Sequence, residues 1–351
     1  MTTYPPIHEH PALALFAELL AVPSPSSRED ALAGVIRARL QSYGYQPETD
    51  AAGNVLVRLA GRDASGPLTC FAAHMDEIGM VVTKIGDDGA LAVDRSGGLY
   101  PWKLGEGPVT ILGDAEQITG VLCMGSTHAN VSDKAVTWAD VRVLTGLTPA
   151  QLARAGVRPG VVAVPARAGC GPVLFGDGAD PLVAAWTFDD RMGCVALLRM
   201  LEALAQDGLT PKHNTIVGFT VHEEGGCHGA KVLAQRERPD IFIAIDGCPI
   251  PPGAPLKLDG RPGIWSKDQQ THYDQRLVRE LCRAATEAGT ELQPVVYERA
   301  ASDASAVYAA GAAGRVACFG HVRENSHGYE VSRLSVFDNV AKTLIRYITK
   351  D

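Results

Sequence analysis

The sequence predicts an α/β protein in which a largely parallel sheet carries helices on both faces and a small β-barrel domain is inserted. In the C-terminal half, helical patterns alternate with buried-strand patterns, which is typical of a parallel sheet covered by helices. Between Glu77 and Gly171, short runs rich in Val, Ile and Leu alternate with Gly and Pro, as in a small barrel or sandwich. We therefore expect residues 1–76 and 172–351 to form one domain and residues 77–171 to form the inserted one.

The individual elements follow from the spacing of apolar residues. Apolar residues recur every three to four positions in helices, whereas short apolar runs bounded by Gly, Pro or Asn indicate strands. A Pro- and Ser-rich break at residues 23–27 separates the first two helices. The predicted helices cover residues 12–20, 28–42, 191–205, 229–235, 273–288, 303–308 and 334–348. The predicted strands cover residues 55–59, 68–74, 215–221, 241–245, 294–297 and 315–319, with 80–85, 109–112, 120–124 and 161–165 inside the insert.

Composition excludes several classes of protein. At 351 residues the chain is long enough for about two domains of roughly 150 residues each. Hydrophobic residues make up 46% of the chain and charged residues 21%, which excludes a disordered protein. The formal net charge of −8 and the lack of a Lys- or Arg-rich run argue against nucleic acid as a partner. The apolar runs are far shorter than the ~20 residues of a bilayer span, so we expect no membrane insertion.

Location and redox state follow from two further features. The first residues lack the basic start and the apolar stretch of a signal peptide, so we expect a cytoplasmic protein. The eight cysteines are scattered and form no C-x-x-C pair. This distribution predicts reduced core thiols rather than disulfides or a thiolate zinc site.

Acidic and histidine side chains follow three of the buried strands. The strand ending at residue 74 runs into His74 and Asp76, the strand at 215–221 runs into Glu223 and Glu224, and the strand at 241–245 runs into Asp246. Ligands bind outside the carboxyl ends of the strands in an open α/β sheet. These side chains are therefore expected to meet at one edge of the sheet.

Two more segments add candidates to that edge. Asp189 and Asp190 lie where an apolar run meets the helix predicted from residue 191, and the strand at 315–319 leads to His321 and His327. Imidazoles and carboxylates without a thiolate suit zinc, cobalt or manganese. Carboxylates that converge alone repel one another, whereas two divalent ions and a bound hydroxide neutralise the cluster. The set therefore predicts two divalent metal ions, an arrangement used to hydrolyse peptide or phosphate bonds.

Taken singly, these residues have structural explanations. His74 alone would be a strand-end histidine bonded to backbone, and Asp246 would be a turn former. Asp189 alone would be a helix N-cap, a role that Asp190 could share. A metal cluster explains all of them at once.

The neighbouring patterns narrow the choice of enzyme class. Glu223 and Glu224 are adjacent acids at the end of an apolar strand, where they repel each other and gain nothing structurally. His222 and His228 are six residues apart, so the H-E-x-x-H pairing is absent and we expect both to be structural or to support ligands. The sequence has no G-x-S-x-G elbow, no G-x-x-x-x-G-K-[ST] loop and no G-x-G-x-x-G after a strand. Their absence argues against the corresponding serine hydrolases, P-loop enzymes and Rossmann dehydrogenases.

Four segments resemble the TET-type dinuclear metal aminopeptidases, a family that includes glutamyl, leucyl and lysyl aminopeptidases. The matching segments are residues 73–79, 189–194, 223–226 and 245–246, and the resemblance covers nearly the whole chain in order. It implies a zinc-exopeptidase-like fold with an inserted β-barrel that mediates dimers. It also implies a homo-oligomer, a hollow tetrahedral dodecamer built from those dimers with active sites facing inward. The apolar run at residues 161–164, which is hard to bury within one chain, suggests the same second surface.

The resemblance further implies five ligands for the two ions. They are His74 and Asp246 on one ion, Glu224 and His327 on the other, and Asp189 bridging both. Family members carry His-Ser before the final Glu, whereas here Ser326 precedes His327, so His321 remains the alternative last ligand.

The resemblance also implies two catalytic roles. Glu223 would be the general base, and Asp76 would orient His74. The Gly-Thr-Asp-Ala segment of the family is here Ala-Ser-Asp-Ala around Asp303, which keeps the acid and alters the neighbouring pocket.

We therefore expect a dinuclear metallo-aminopeptidase that removes N-terminal residues from peptides. The first alternative is an amidohydrolase or deacylase that acts on a small N-acylated compound with the same two ions. The second is a catalytically dead, metal-free binding scaffold, against which the intact ligand set argues.

Overall fold

The computed structural model describes residues 4, 6–126, 128, 135–176 and 178–350. The α-helices within these ranges are α1 (Pro11–Leu20), α2 (Asp30–Ser42), α3 (Pro101–Leu104), α4 (Pro149–Arg154), α5 (Phe188–Gln206), α6 (His228–Glu237), α7 (Gln275–Glu287), α8 (Asp303–Ala309) and α9 (Ser335–Thr349). The β-strands up to residue 175 are β1 (Glu48–Thr49), β2 (Val55–Leu59), β3 (Thr69–His74), β4 (Gly79–Ile85), β5 (Leu91–Ser96), β6 (Gly107–Leu112), β7 (Gln117–Cys123), β8 (Arg142–Leu144), β9 (Val162–Pro165) and β10 (Val173–Phe175). The later strands are β11 (Leu182–Trp186), β12 (Thr215–Thr220), β13 (Ile241–Ile245), β14 (Cys248–Pro249), β15 (Gly263–Lys267), β16 (Gln293–Val296), β17 (Arg315–Gly320), β18 (Val322–Arg323) and β19 (Tyr329–Arg333).

The largest sheet in the described part of the chain is mixed, with a parallel centre. Its strand order is β1-β2-β12-β3-β13-β17-β15-β16. The central strands β12, β3, β13 and β17 are parallel neighbours, whereas β2 and β15 join them antiparallel on either side. The predicted parallel sheet is therefore confirmed at its centre, and the antiparallel pairs lie toward the edges.

Helices cover both faces of this sheet, as predicted. The first group consists of α1, α5, α7 and α9, which pack on one another, and the second of α6 and α8, which contact β12, β13 and β17. Gly218 of β12 permits the close approach of α6, because a Cβ at this position would lie 2.6 Å from Leu233 Cδ2. The core of this domain is one continuous cluster of buried aliphatic and aromatic side chains.

The inserted segment forms a closed barrel with its own core. The barrel order is β4-β5-β8-β7-β6-β9, and its buried side chains form a cluster separate from that of the main sheet. All four residues of the apolar run 161–164 are buried within the chain, so the expectation that this run forms an outer surface is wrong. The domain boundaries at residues 77 and 171 stay a prediction, and residues 127 and 129–134 of the insert lie outside the described ranges.

Two small sheets complete the described elements, and the sequence analysis predicted none of their five strands. The strands β10, β11 and β19 form one of these sheets, and β14 pairs with β18 in the other. In β19 the buried positions are Glu330 and Ser332, whereas Tyr329 and Val331 are only partly buried. Because polar residues occupy the buried face of β19, a prediction from hydrophobic alternation would assign the wrong face to the interior.

The remaining sequence expectations concern thiols and membranes. All eight cysteines are unpaired and six of them are buried, as predicted. None of the helices in the described ranges combines the length and the apolar character that a bilayer span requires.

Candidate metal centre

Neighbouring parallel strands deliver acidic and histidine side chains to one edge of the sheet. His74 is the last residue of β3, Glu223 and Glu224 follow β12, and Asp246 follows β13. Thr220 of β12 pairs with His74 in register. The turn that carries both glutamates therefore begins beside the histidine.

Asp189 lies between two imidazoles. Its Oδ1 is 3.3 Å from His74 Nε2, and its Oδ2 is 3.6 Å from His327 Nε2. His327 Nε2 also lies 3.5 Å from Glu224 Oε1. The ligand atoms of His74, Asp189 and Glu224 all lie within 4.8 Å of one another. The structure thus brings four of the five predicted ligands together, with one Asp189 oxygen toward each histidine.

Asp246, the fifth predicted ligand, belongs to a second group. Its carboxylate lies with those of Asp189 and Asp190 within the same 4.8 Å limit. Its Oδ1 accepts the backbone N–H of Gly247 at 2.5 Å. Burial and the negative charge of Asp189 raise the pKa of Asp246 to about 8. Asp189 is therefore common to both groups of candidate ligands.

Asp76 connects the two strand ends that carry His74 and the glutamates. Its carboxylate accepts the backbone N–H of Glu223 at 2.9 Å and that of Glu224 at 3.1 Å, and it accepts the Ser26 hydroxyl at 2.6 Å. His74 Nδ1 lies 3.5 Å from Asp76 Oδ1 and 3.0 Å from the Asp76 backbone oxygen. These distances agree with a role of Asp76 in orienting His74. The hydrogen bonds also position the backbone of Glu223 and Glu224.

Asp190 caps the helical part of α5. Its Oδ1 accepts the N–H of Gly193 at 3.1 Å, and its Oδ2 accepts the N–H of His74 at 3.3 Å. A Cβ on Gly193 would lie 2.3 Å from the Asp190 carboxylate, so glycine leaves room for this cap. The capping bond belongs to Asp190, which leaves the Asp189 carboxylate directed at the histidines.

Glu223, the predicted general base, lies against a thiol and a second carboxylate. Burial raises the pKa of Glu223 well above its ordinary value. The Cys227 thiol donates to Glu223 Oε1 at 3.4 Å. Asp303 lies in the same group of ligand-type atoms, within 4.8 Å, and accepts the Thr220 hydroxyl at 2.6 Å. The Glu223 carboxylate thus has a hydrogen-bond donor in Cys227 and a second acid, Asp303, as its neighbours.

His327 is positioned by a close approach of the inserted domain. Its Nδ1 lies 3.1 Å from the backbone oxygen of Gly98, which leaves Nε2 free to face the carboxylates. A Cβ on Gly98 would lie 2.4 Å from His327 Nδ1, so a larger residue there would displace the ring. The charge of Glu224, together with the hydrogen bond to Asp189, raises the pKa of His327 to about 10.

The other candidate histidines have different surroundings. His321 is fully buried, its ring centroid lies 5.4 Å from that of Phe188, and its Nε2 lies 3.3 Å from Arg323 Nη1. Burial, reinforced by the Arg323 charge, holds the pKa of His321 well below its ordinary value. The rings of His222 and His228 lie 6.5 Å apart, and both residues fall outside the metal-compatible groups found among the described residues. The contacts with Asp189 and Glu224 thus belong to His327.

Arg323 and Glu330 are site residues that the sequence analysis missed. Arg323 Nη2 donates to Asp189 Oδ2, and its Nε lies 2.8 Å from Glu330 Oε1. Glu330 accepts the backbone N–H of Asp189 at 2.9 Å and that of His327 at 3.1 Å. Burial alone would raise the pKa of Asp189, but Arg323 and the two histidines hold it well below its usual range. The spacing of an acid three residues after His327 was the available signal.

A buried ion-pair network supports the loop after β3. Arg191 is fully buried and donates to the backbone oxygen of Met75 and, at 2.6 Å, to Ser24 Oγ. Its Nη2 lies 3.5 Å from Glu77 Oε1, and Arg167 Nη2 lies 2.9 Å from Glu77 Oε2. The network links both parts of the main domain to the end of the insert.

A cavity of about 670 Å³ opens onto the candidate site. Lys231 and Arg299 contribute to its wall, whereas Asp303 is not among the described residues that line it. The candidate site residues in the wall are His74, Asp189, Glu223, Glu224, Asp246, Arg323 and His327. A substrate in this cavity would therefore meet the acids of the strand ends and would not touch Asp303.

The donor set fits divalent metal ions. Imidazole nitrogen and carboxylate oxygen are ligands for zinc, cobalt and manganese. Burial raises the pKa of the nearby Cys227 thiol, so that sulfur stays protonated and is a poor ligand. Burial and the negative charge of Asp189 raise the pKa of Asp246, and a cation between the carboxylates would relieve both effects.

Sequence comparison connects these residues to known peptidases. The profile of the M42 glutamyl aminopeptidase family matches residues 53–343. The glutamyl aminopeptidase of Lactococcus lactis subsp. cremoris is 29% identical over 238 residues, which cover 66% of this chain and 65% of that protein. The chain thus spans slightly less than two thirds of the length of this curated relative.

Structural comparison extends the similarity over nearly the whole chain. A Pyrococcus horikoshii TET1 peptidase, described as able to assemble into a tetrahedron or a large octahedral shell, is 26% identical with a TM-score of 0.84, covering 97% of this chain and 100% of that chain. The PhTET1-12s structure, described as a dodecamer, is 25% identical with a TM-score of 0.84, covering 96% of this chain and 99% of that chain. The resemblance to TET-type aminopeptidases and the predicted zinc-exopeptidase-like fold are thereby confirmed.

Proposed function

The chain belongs to the M42 glutamyl aminopeptidase family, a family of peptidases, and from that premise we propose that it is a dinuclear metal-dependent aminopeptidase acting on peptides. The observation that carries the proposal is the position of Asp189, whose two oxygens lie 3.3 Å from His74 and 3.6 Å from His327. A carboxylate with one oxygen toward each of two imidazoles is suited to bridge a pair of metal ions. Paired ions are a recurring solution for peptide hydrolysis.

The proposed ligands divide between two ions of zinc, cobalt or manganese. His74 and Asp246 would hold one ion, Glu224 and His327 the other, and Asp189 both. When bound, the ions supply Lewis acidity toward the scissile carbonyl and lower the pKa of a bound water. Arg323 and Glu330 hold Asp189 and His327 in place for this purpose, through the contacts described above.

Glu223 is the proposed general base. It accepts a proton from the attacking water at its carboxylate and then delivers that proton to the leaving amine. Burial raises the pKa of Glu223, which makes this carboxylate a stronger proton acceptor than an exposed one. The backbone bond to Asp76 and the thiol of Cys227 fix where that proton is held.

The cavity wall supports a free N-terminal amine as the recognised group. Its acids would pair with the positive amine, whereas an acetyl cap would remove the charge and leave carboxylates unpaired. Buried polar groups left unpaired cost about 1–3 kcal/mol each, so discrimination of roughly 10²-fold is expected.

The test compares one peptide with a free and with an acetylated N-terminus. The free peptide should be shortened one residue at a time, and the capped peptide should stay intact. Release of acetate, or faster cleavage of the capped peptide, would replace this proposal with the deacylase alternative. Peptide binding without hydrolysis in the presence of zinc, cobalt and manganese would instead indicate a binding scaffold.

We extend the proposal to assembly. The chain would form dimers through its barrel and a tetrahedral dodecamer with inward-facing active sites. Support comes from the assemblies described for the two similar structures and from Tyr100 and Trp102, which are 48% and 56% exposed on the insert. Light scattering at micromolar concentration with metal present should give the dodecamer mass, and a monomer would refute the assembly.

A further inference from the structure

A second cavity lies at the edge of the main sheet opposite the candidate metal centre. Its volume is about 610 Å³. The first residues of all four central parallel strands line it, namely Thr69, Thr215, Ile241 and Arg315. A strand rises about 3.3 Å per residue, so the five steps from Thr69 to His74 along β3 separate this cavity from His74 by about 17 Å.

The charge of this cavity is opposite to that of the chain. The chain has a formal net charge of −8. Among the described residues that line the cavity, however, Glu280 is the one acid. The lysines and arginines that line the cavity are Lys212, Arg276, Arg279, Arg283, Arg315 and Lys350.

The acids nearby neutralise only part of this positive charge. Glu280 Oε1 lies 3.1 Å from Arg276 Nε and 3.5 Å from Arg315 Nη2, so one carboxylate serves two guanidinium groups. Asp274 pairs with the same Arg315 at 3.1 Å. Both acids are thus engaged by cations of the cavity wall, and neither is left to pair with the remaining cations.

Three of the six cations have side chains that form no hydrogen bond or salt bridge within the part of the chain that the structure describes. The side chains of Lys212, Arg279 and Arg283 make no hydrogen bond or ion pair with the described residues. Arg279 and Arg283 are four positions apart on α7, where like charges destabilise a helix. Burial lowers the pKa of Lys350, and the Arg283 charge adds to that effect. The like charges around the cavity therefore favour the binding of an anion there.

We propose that this cavity binds a small phosphate anion carrying several charges, a diphosphate group above all. Guanidinium forks bind phosphate oxygens in pairs and keep their charge at every physiological pH. The volume of this cavity is in the range of small-molecule sites. The cavity is therefore too small to hold a folded protein. Phe71 and Tyr347 give the cavity an apolar wall beside the cations, so the diphosphate could be inorganic or part of a nucleotide.

The test measures pyrophosphate binding to the assembled full-length protein by calorimetry at constant ionic strength. The variant is Arg279→Gln with Arg283→Gln, two exposed positions that the fold does not need for packing. The matched control is Lys84→Gln with Arg95→Gln, which removes the same charge from exposed positions of the barrel. We expect Kd to rise at least about tenfold in the cavity variant and to stay near the original value in the control.

Pyrophosphate also chelates divalent ions, so sulfate is titrated in parallel and should give the same order of affinities. Adenosine diphosphate forms a third arm, and tighter binding than pyrophosphate would assign the diphosphate to a nucleotide. Equal weakening in both double variants would reduce the effect to net charge and overturn the proposal. Binding of neither anion above a chloride reference would overturn it as well.

Discussion

Glu223 donates its backbone N–H to Asp76 Oδ1 at 2.9 Å, so the proposed base is fixed by a residue from the neighbouring strand. The other Asp76 oxygen accepts the N–H of Glu224 at 3.1 Å and the Ser26 hydroxyl at 2.6 Å. One fully buried carboxylate therefore sets the positions of a proposed base and a proposed ligand together. Asp76 itself lies two positions after His74 in the sequence, so the same short segment carries a proposed ligand and this carboxylate.

Replacing Asp76 with Asn should weaken metal binding. The amide would turn an N–H group toward one of the donors, and a buried unpaired polar group costs about 1–3 kcal/mol. We expect metal affinity to fall by roughly 10–100-fold, the range for residues that orient ligands. Asp50→Asn is a matched control, because Asp50 is also buried and accepts the N–H groups of Ala52 and Asn54. Unchanged metal affinity in Asp76→Asn, measured by titration with zinc, would contradict the orienting role.

Glu223→Gln should abolish turnover and spare the metals. The amide keeps the size of the side chain and cannot accept the proton, so we expect kcat to fall by ~10²–10⁴. Metal content per chain should match that of the original protein. Glu116→Gln, which changes an exposed acid of the insert, serves as the control. Full activity of Glu223→Gln would remove Glu223 from the role of base.

Asp189→Asn and Asp190→Asn should fail in different ways. Asp189 faces both histidines, so its variant should lose metal. Asp190 accepts the N–H groups of Gly193 and His74, so its variant should lose about 1 kcal/mol of stability, as for loss of a cap, and retain metal. Metal analysis and urea unfolding of both proteins separate the two effects. Metal loss in Asp190→Asn alone would move the bridge by one residue.

The metal-free protein should lose stability as the pH rises from 6 to 9. The pKa of Asp246 is raised from 3.8 to about 8, and that of His327 from 6.5 to about 10. The folded chain therefore holds protons that the unfolded chain has released, and stability from a raised pKa disappears as the pH approaches the folded value. The lowered pKa values of Asp189 and His321 act in the opposite sense, but the contribution of Asp189 is complete above about pH 5 and that of His321 above about pH 7.5.

Added zinc should reverse that trend, because metal binding displaces these protons. The rise in Tm on adding zinc should therefore be larger at pH 8.5 than at pH 6.5. Thermal unfolding with and without zinc at both pH values measures it. A zinc effect that shrinks as the pH rises would mean that Asp246 and His327 do not bind the metal.

The candidate ligands were predictable because the rule for parallel strands is geometric. His74, Glu224 and Asp246 each follow a strand in the parallel centre of the sheet, and strands of that kind end at one edge. Their assignment to particular ions stays a prediction. The choice between His321 and His327 needed coordinates, since both follow the same strand and only packing against Phe188 or Gly98 separates them.

The position of Glu330 three residues after His327 was its one signal in the sequence, because Glu330 acts on backbone groups that every residue has. Arg323 acts on the carboxylate of Asp189, and no spacing pattern indicates that contact. Glu330 receives the backbone N–H groups of Asp189 and His327, and such bonds leave no trace in side-chain chemistry. The strand that contains Glu330, β19, was missed in the sequence analysis for a related reason. In β19 the buried face consists of Glu330 and Ser332, so a pattern based on apolar residues does not reveal the strand.

Because Glu330 accepts the backbone N–H groups of Asp189 and His327, the candidate site cannot assemble before Glu330 has been synthesised. Chains grow at about 5–20 residues per second, so roughly 7–28 s separate the synthesis of Asp189 from that of Glu330. Throughout that interval the carboxylate of Asp189 is already made, while the acid that holds its backbone and that of His327 is not. A growing chain therefore carries an unassembled candidate site until Glu330 has been made.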